Sequence, residues 1–144
     1  MTMAITSSYS YIDVTCTLNQ RSILGMWEGD NAIAVSEGED IGTGLIGADG
    51  SGIFSQHAGK GAQISIKLQH TSPTHRYLTQ LLEQQREGGL NGVPFTVQDR
   101  RSGEGGTADK CFIMQAPATE KGKAATMREW VLWTSQYDRS IPNG

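Results

Sequence analysis

The sequence predicts a mainly β, α+β domain, that is, a β-sandwich or barrel with one α-helix and a long extended loop. Three observations support this class. Several segments alternate apolar with polar residues, which is the period of a strand with one buried face. One segment shows helical spacing instead, and glycine, at 18 of 144 residues, clusters between the periodic segments. A chain of this length has room for one core, so we expect a single domain over residues 1–144.

The alternating segments are interpreted as strands. They cover residues 9–18, 32–36, 62–70, 93–99, 107–116 and 126–137. In the last segment Trp130 and Trp133 fall on opposite faces, and both faces carry large apolar residues. We therefore expect this strand to be covered on one side by the core and on the other by a partner.

One helix is predicted over residues 73–87. Ser72 is a favourable N-cap, and Pro73 follows at the first helical position. Apolar residues then recur at helical spacing, and Gly88 ends the segment. The apolar stripe consists of Tyr77, Leu78, Leu81 and Leu82.

Residues 38–52 are rich in glycine and follow an acidic run. Such a stretch buries little by itself, so we expect a flexible loop or a bendable hairpin. Because loops of this length are uncommon without a task, we expect it to reach a neighbouring subunit of a homo-oligomer. The candidate interface residues are Glu39, Asp40, Gly42, Gly44, Gly47, Asp49 and Gly50, together with Trp130 from the last strand.

Residues 42–47 match the letters of a dinucleotide-binding motif, but an acidic run precedes them and a glycine-rich run that cannot start a helix follows. Residues 59–61 lack the spacing of a phosphate-binding loop. His57, His70 and His75 lack the spacing of a metal site. We therefore predict no cofactor, no metal and no enzymatic activity.

The cysteines, the net charge and the lack of long apolar segments indicate what the protein does not bind or cross. Cys16 and Cys111 both lie in apolar alternating runs, where buried free thiols are expected. The net charge of -3, with basic residues scattered along the chain, argues against a strong grip on nucleic acid. No segment shows the pattern of a signal peptide or a membrane-spanning helix.

Several short segments stand in a characteristic order along the chain. They are Tyr11-Ile12-Asp13-Val14, Gly47-Ala48-Asp49-Gly50-Ser51-Gly52, Ser55-Gln56-His57-Ala58-Gly59-Lys60, Ile64-Ser65-Ile66-Lys67-Leu68, Thr71-Ser72-Pro73 ahead of the Leu-rich helix, and Glu129-Trp130. In this order the sequence resembles, over nearly its whole length, the tail tube (inner tube) proteins of contractile-tailed bacteriophages.

The resemblance implies a tail-tube-type fold in hexameric rings that stack into a hollow conduit for DNA. It also implies a tail sheath around the tube, contact with baseplate and tail-terminator proteins, and a place in the virion after assembly in the host cytoplasm. Asp13 and Glu129 become candidates for the lumen, where acidic residues would let DNA slide past. Three alternatives stay open: the inner tube of a phage-tail-like injection or secretion machine, a baseplate or capsid-decoration protein, and a small ligand-binding or enzymatic β-barrel.

Overall fold

The computed structural model describes residues 14–27, 32–38, 40–122 and 126–142, and within them it is mainly β with one helix, as predicted. The elements are β1 (Val14–Leu18), β2 (Arg21–Ser22), β3 (Ile33–Glu37), β4 (Gly42–Ile46), β5 (Gly52–Gln56), β6 (Ala62–Gln69), α1 (Pro73–Arg86), β7 (Val93–Asp99), β8 (Gly105–Gln115), β9 (Met127–Thr134) and β10 (Asp138–Arg139). The predicted strands match these bounds within about two residues, except that the last one was predicted to run to residue 137 and β9 ends at Thr134, and that the part of the first strand before residue 14 lies outside the described residues.

Eight strands form one antiparallel sheet in the order β2-β1-β7-β8-β9-β6-β3, with β10 paired to the beginning of β8. The segment after β2 crosses to β6, where Met26 forms a bridge with Leu68. The Trp27 N–H donates to the Lys67 carbonyl at 2.9 Å. The chain thus connects the β2 edge to β6, and the sheet and the helix share one apolar core. Strands β4 and β5 form a separate two-stranded hairpin.

The core is filled by the faces that alternation predicted to be inward. In β6 the side chains of Ile64, Ile66 and Leu68 are fully buried, whereas Ser65 and Lys67 between them are partly exposed. Residues from five strands and the helix join the same apolar cluster, which includes Leu18, Phe95, Cys111, Leu132 and Leu78. Burial of each large side chain contributes about 1.5–3 kcal/mol, so this cluster is the main source of stability.

Strand β9 separates its two tryptophans as expected, but the interface assignment of Trp130 was wrong. Trp130 is 1% exposed and belongs to the core, whereas Trp133 on the opposite face is 41% exposed. The Trp130 Nε1–H donates to Nδ1 of His75 at 3.0 Å, which satisfies its one polar group inside the fold. Its side chain therefore offers no surface to a second subunit.

The His75 imidazole lies between α1 and β9, with its ring centroid 5.7 Å from that of Trp130. Burial lowers the pKa of His75 below its ordinary value of 6.5, and the positive charges of Arg128 and His70 act in the same direction. Because Nδ1 accepts the indole hydrogen bond, the neutral imidazole is the form that the fold requires.

Helix α1 begins and ends as the sequence predicts. The Thr74 N–H donates to Oγ of the N-cap Ser72 at 3.1 Å, and Gly88 follows the helix with a φ of 79°. The N-cap also ties the helix to the strand-connecting segment: Ser72 Oγ–H donates to the Leu24 carbonyl, and the Leu24 N–H donates to Thr74 Oγ1 at 2.8 Å. The helix is thereby anchored next to the crossing between β2 and β6.

At its other end the helix is held by Gln85. The Gln85 Nε2–H donates to the Ile113 carbonyl at 2.9 Å, and the Ile113 N–H donates to Gln85 Oε1 at 2.9 Å. Strand β7 pairs with β8 only as far as Cys111, and the β8–β9 register shifts just after Ile113. The amide of Gln85 therefore takes the place of a neighbouring strand at this point of β8.

Candidate assembly interface

Residues 41–57, named here the arm, fold into a β-hairpin. Five residue pairs form its ladder, from Gly42 opposite Gln56 to Ile46 opposite Gly52. At its tip the Gly47 N–H donates to the Ser51 carbonyl at 2.7 Å, and the Ser51 N–H donates to Asp49 Oδ1 at 3.0 Å. That backbone hydrogen bond lowers the pKa of Asp49. The segment expected to be a loop or a bendable hairpin is thus a hairpin, and its flexibility stays a prediction.

The arm exposes large apolar side chains on both of its faces. These side chains are 64–78% exposed and are the large apolar ones of the arm. The residues are Ile41, Leu45, Ile46, Ile53 and Phe54. An isolated two-stranded hairpin is marginally stable in water, and a continuous exposed apolar surface usually marks an interaction site. The arm therefore has the character of a segment that is covered in an assembly.

Glycines shape one face of the arm. Gly44 lies opposite Phe54, and the Phe54 ring covers Gly42 so closely that a Cβ at Gly42 would overlap it. The edge of the ring therefore lies against the backbone at Gly42. The opposite face carries Leu45 and Ile53 as a cross-strand pair. The two faces thus present different apolar surfaces.

The C-terminal strand β10 braces both ends of the arm where it joins the sheet. Arg139 Nε lies 3.2 Å from Glu37 Oε1 before the arm, and Lys60 Nζ lies 3.2 Å from Asp138 Oδ1 after it. The Tyr137 N–H also donates to the Lys60 carbonyl at 2.9 Å. Exposed ion pairs of this kind contribute about 0–1 kcal/mol each, so they orient the arm more than they stabilise the fold.

A second exposed apolar surface lies on the outward face of β8 and β9. Phe112 and Trp133 stand directly opposite each other, with Met114 and Val131 beside them. Trp133 and Met114 are each exposed by about two fifths, at 41% and 43%. We name these four residues the apolar patch. Beyond the patch on the same face, the Lys67 ammonium and the Glu129 carboxylate lie 3.9 Å apart.

The outward face of β1 and β7 is different in character. It carries Thr15, Thr17, Thr96 and Gln98, and neither strand contains Lys or Arg. Phosphate affinity comes from such cations, so this face is polar without attracting a nucleic-acid backbone.

The family of this fold follows from its sequence profile. Residues 6–141 match the family model described as the bacteriophage PhiTE tail tube protein. The chain belongs to this tail tube family. The match covers almost the whole sequence, and the resemblance seen in the short sequence segments is confirmed.

Solved structures of the same fold come from contractile injection systems. The sheath/tube terminator of the PVC extracellular contractile injection system in its extended state has a TM-score of 0.58 at 10% identity, covering 98% of this tail tube chain and 100% of that chain. The tube-terminating cap of the anti-feeding prophage has a TM-score of 0.55 at 8% identity, with coverages of 96% and 95%. At these identities the likeness shows the fold alone. No curated protein matches the chain significantly.

The interface residues predicted for this tail tube family member fall mostly in the arm. Gly42, Gly44, Gly47, Asp49 and Gly50 all belong to it. Asp40 is exposed just before the arm, and Glu39 and the lumen candidate Asp13 lie outside the described residues. The lumen candidate Glu129 is exposed and lies beside Met127 and Val131.

The apolar residues of the arm and of the patch were not among the predicted interface residues. A signal was present, since the pairs Leu45-Ile46 and Ile53-Phe54 flank the glycine-rich tip symmetrically, as in a hairpin. Neither surface offers metal chemistry. Among the described residues there is no group of three or more His, Cys, Asp or Glu that could hold a metal ion, and none of their helices is long and apolar enough to cross a membrane.

Proposed function

We propose that this chain is a structural subunit of a contractile phage tail tube, that it forms hexameric rings, and that the rings stack into a hollow conduit for DNA ejection. The observation that carries the proposal is the family match over residues 6–141. Its partners would be further copies of itself, the tail sheath protein, and the baseplate and terminator proteins. It would be assembled in the host cytoplasm and reside in the virion. The role is structural and requires no catalytic residue.

The surfaces of the subunit support an open, stacked assembly. The arm is an apolar projection, and a projection has to be received by a different surface on the next copy. Contacts of this heterologous kind generate rings when they close and filaments when they do not. The free edge of β3, which pairs only with β6 among the described residues, adds a place for strand pairing between subunits.

The outward face of β1 and β7 is the best candidate for the lumen. Its Thr and Gln side chains would not bind passing DNA. In the sequence Asp13 has the same parity as Thr15 and Thr17, which is the basis for proposing it for this face. Glu129 fits the lumen less well, because its neighbours on the same face are apolar and its carboxylate is paired with Lys67. We therefore propose Asp13 as a lumen residue and assign Glu129 to a subunit contact.

A second candidate function is a tube-terminating ring, which the fold of the two injection-system structures favours. A terminator would close one ring and stop growth, whereas a tube subunit would add ring after ring. A tube of an injection or secretion machine would be built in the same way as a phage tube.

Sedimentation velocity over a wide range of protein concentration tests the proposed function. The wild-type chain should form species of ring size and larger as concentration rises. The double variant Leu45→Thr, Ile53→Thr keeps the β propensity of the arm but removes its apolar pair, so it should stay small. The matched control Thr43→Ser, Ser55→Thr alters the next pair on the same face and should assemble normally. A wild-type chain that is monomeric at every concentration and salt would refute the proposal.

A further inference from the structure

Every copy of the chain carries two apolar surfaces that the described part of the same copy leaves at least partly exposed. One is the arm, residues 41–57, and the other is the apolar patch of Phe112, Met114, Val131 and Trp133. Because each chain has one arm and one patch, the two surfaces occur in equal numbers in any assembly of identical copies. An assembly of identical subunits can cover both at once if one receives the other.

We infer that the arm of one subunit packs on the apolar patch of a second copy. This inference rests on the proposed function, because it requires that copies of the chain assemble. It adds the receiving surface, which the family match does not identify.

The two surfaces agree in size. Each arm strand has five residues and is about 17 Å long at about 3.3 Å per residue. On β9 the patch itself spans Val131 to Trp133, and the same outward face continues past the ion pair of Glu129 with Lys67 to Met127, over about 20 Å in all by the same measure. The arm is two strands wide, and the patch likewise spans two neighbouring strands, β8 and β9. A hairpin can therefore lie on the patch strand over strand, at the spacing of about 10 Å that is usual for packed sheets.

The position of the arm excludes its own patch as the target. The apolar residues of the arm are 64–78% exposed, and Trp133 and Met114 of the patch are 41% and 43% exposed, so the arm does not lie on the patch of its own copy. Ala62, which follows the arm, pairs with Thr134, next to Trp133. The arm thus leaves the sheet from one end of the patch, and the patch it meets belongs to a copy displaced along the arm. This displacement is the head-to-tail relation of an open assembly.

The charged residues on the two surfaces do not oppose this contact. Asp49 at the tip is the only charged residue between Gly42 and Gln56. On the receiving face, Lys67 and Glu129 lie 3.9 Å apart and neutralise each other. Lys110, two residues before Phe112, is exposed and can keep its ammonium in water at the margin of the contact, so covering the patch need not bury an unpaired charge.

Cross-linking between two differently labelled copies tests the inference. One chain carries Leu45→Cys in the arm and the other carries Met114→Cys in the patch, and the two are mixed under assembly conditions with a short bismaleimide. The mixture should give a covalent dimer, and each chain alone should give none. The native thiols of Cys16 and Cys111 are buried, and the wild-type chain measures any background from them.

The control replaces the patch cysteine with one at Thr96, which is exposed on the outward face of β7. Assembly with cross-linking to position 96, or with no cross-link to position 114, would overturn the inference and leave the proposed function intact. A wild-type chain that does not assemble would instead contradict both.

A second measurement needs no cysteine: assembly should shift tryptophan emission to the blue in the wild-type chain, and most of this shift should disappear in Trp133→Phe. A shift that survives undiminished would count against the patch as the receiving surface.

Discussion

Replacing Gln85 should weaken the fold more than any other single change on the polar side of the helix. In Gln85→Ala, the buried N–H and carbonyl of Ile113 lose both partners, which lie at 2.9 Å each. Leaving a buried backbone group unpaired costs about 1–3 kcal/mol, and partial access of water lowers the sum, so we expect a loss of about 2–4 kcal/mol. For a domain of this size that corresponds to a decrease in Tm of roughly 8–15 °C.

The neighbouring residue supplies a matched control. Gln84 is exposed, and Gln84→Ala gains the same helix propensity as Gln85→Ala. The difference between the two variants in urea unfolding therefore isolates the two hydrogen bonds. Measurements at low, equal protein concentration keep assembly from adding apparent stability.

A third variant separates hydrogen bonding from packing. Gln85→Glu keeps the size of the side chain and an oxygen that accepts from the Ile113 N–H, but it places a second oxygen against the Ile113 carbonyl. It should be destabilised at least as much as Gln85→Ala. If Gln85→Ala loses no more stability than Gln84→Ala, the view that Gln85 replaces a strand next to β8 is refuted.

Three further predictions concern the core. Because the folded-state pKa of His75 is below 6.5, the unfolded chain binds more protons, so stability should be full above about pH 6.5 and fall as pH decreases through the folded-state pKa. Urea midpoints measured against pH should show this decrease in the wild type and less of it in His75→Gln. An equal pH dependence in both chains would contradict the neutral form of His75 in the fold. Burial raises the pKa of Cys16 to about 12 and that of Cys111 to about 11. Both thiols should therefore react with a disulfide reagent at pH 8 far more slowly in the folded chain than in urea. Equal rates would place them at the surface. A Cβ at Gly106 would overlap the ring of buried Tyr137, whereas one at Gly122 meets nothing within 4 Å. Gly106→Ala should therefore lose about 1–3 kcal/mol of stability in urea unfolding and Gly122→Ala almost nothing. Similar losses in the two variants would contradict this packing.

The sequence was sufficient for the elements whose signals agree with each other. Strand β6 has a strict alternation, and α1 has an N-cap, a first-turn proline and a terminal glycine, so both were predicted close to their bounds. The mainly β class and the single helix were confirmed. Local chemistry alone decides such elements.

Strand β9 shows where alternation is insufficient. It placed the two tryptophans on opposite faces but did not identify the inward one, because the inward face also carries Arg128. That arginine is buried, and its guanidinium donates to the Glu120 carbonyl at 2.8 Å and to Thr126 Oγ1 at 2.7 Å. Both acceptors come from the chain before the strand, so no pattern within β9 reveals them. Because both faces carry large apolar residues, alternation left Trp130 open to assignment at the interface.

The strand pairing of the arm and the role of Gln85 depend on the same kind of distant information. Glycine weakens strand propensity, so residues 42–56 do not by themselves distinguish a loop from a ladder. The amide of Gln85 finds its partners on Ile113, 28 residues further along the chain. Ile113 lacks a strand partner on that side because β7 begins only at Val93, opposite Cys111, and this limit has no sequence mark of its own.

Negative-stain electron microscopy of the purified wild-type chain at rising concentration tests whether the chain stacks into a tube. We expect hollow tubes of uniform width that lengthen with concentration, because each ring presents uncovered arms to the next. Single rings that never stack would contradict it in favour of a terminator, and particles of single-chain size at every concentration would contradict self-assembly altogether.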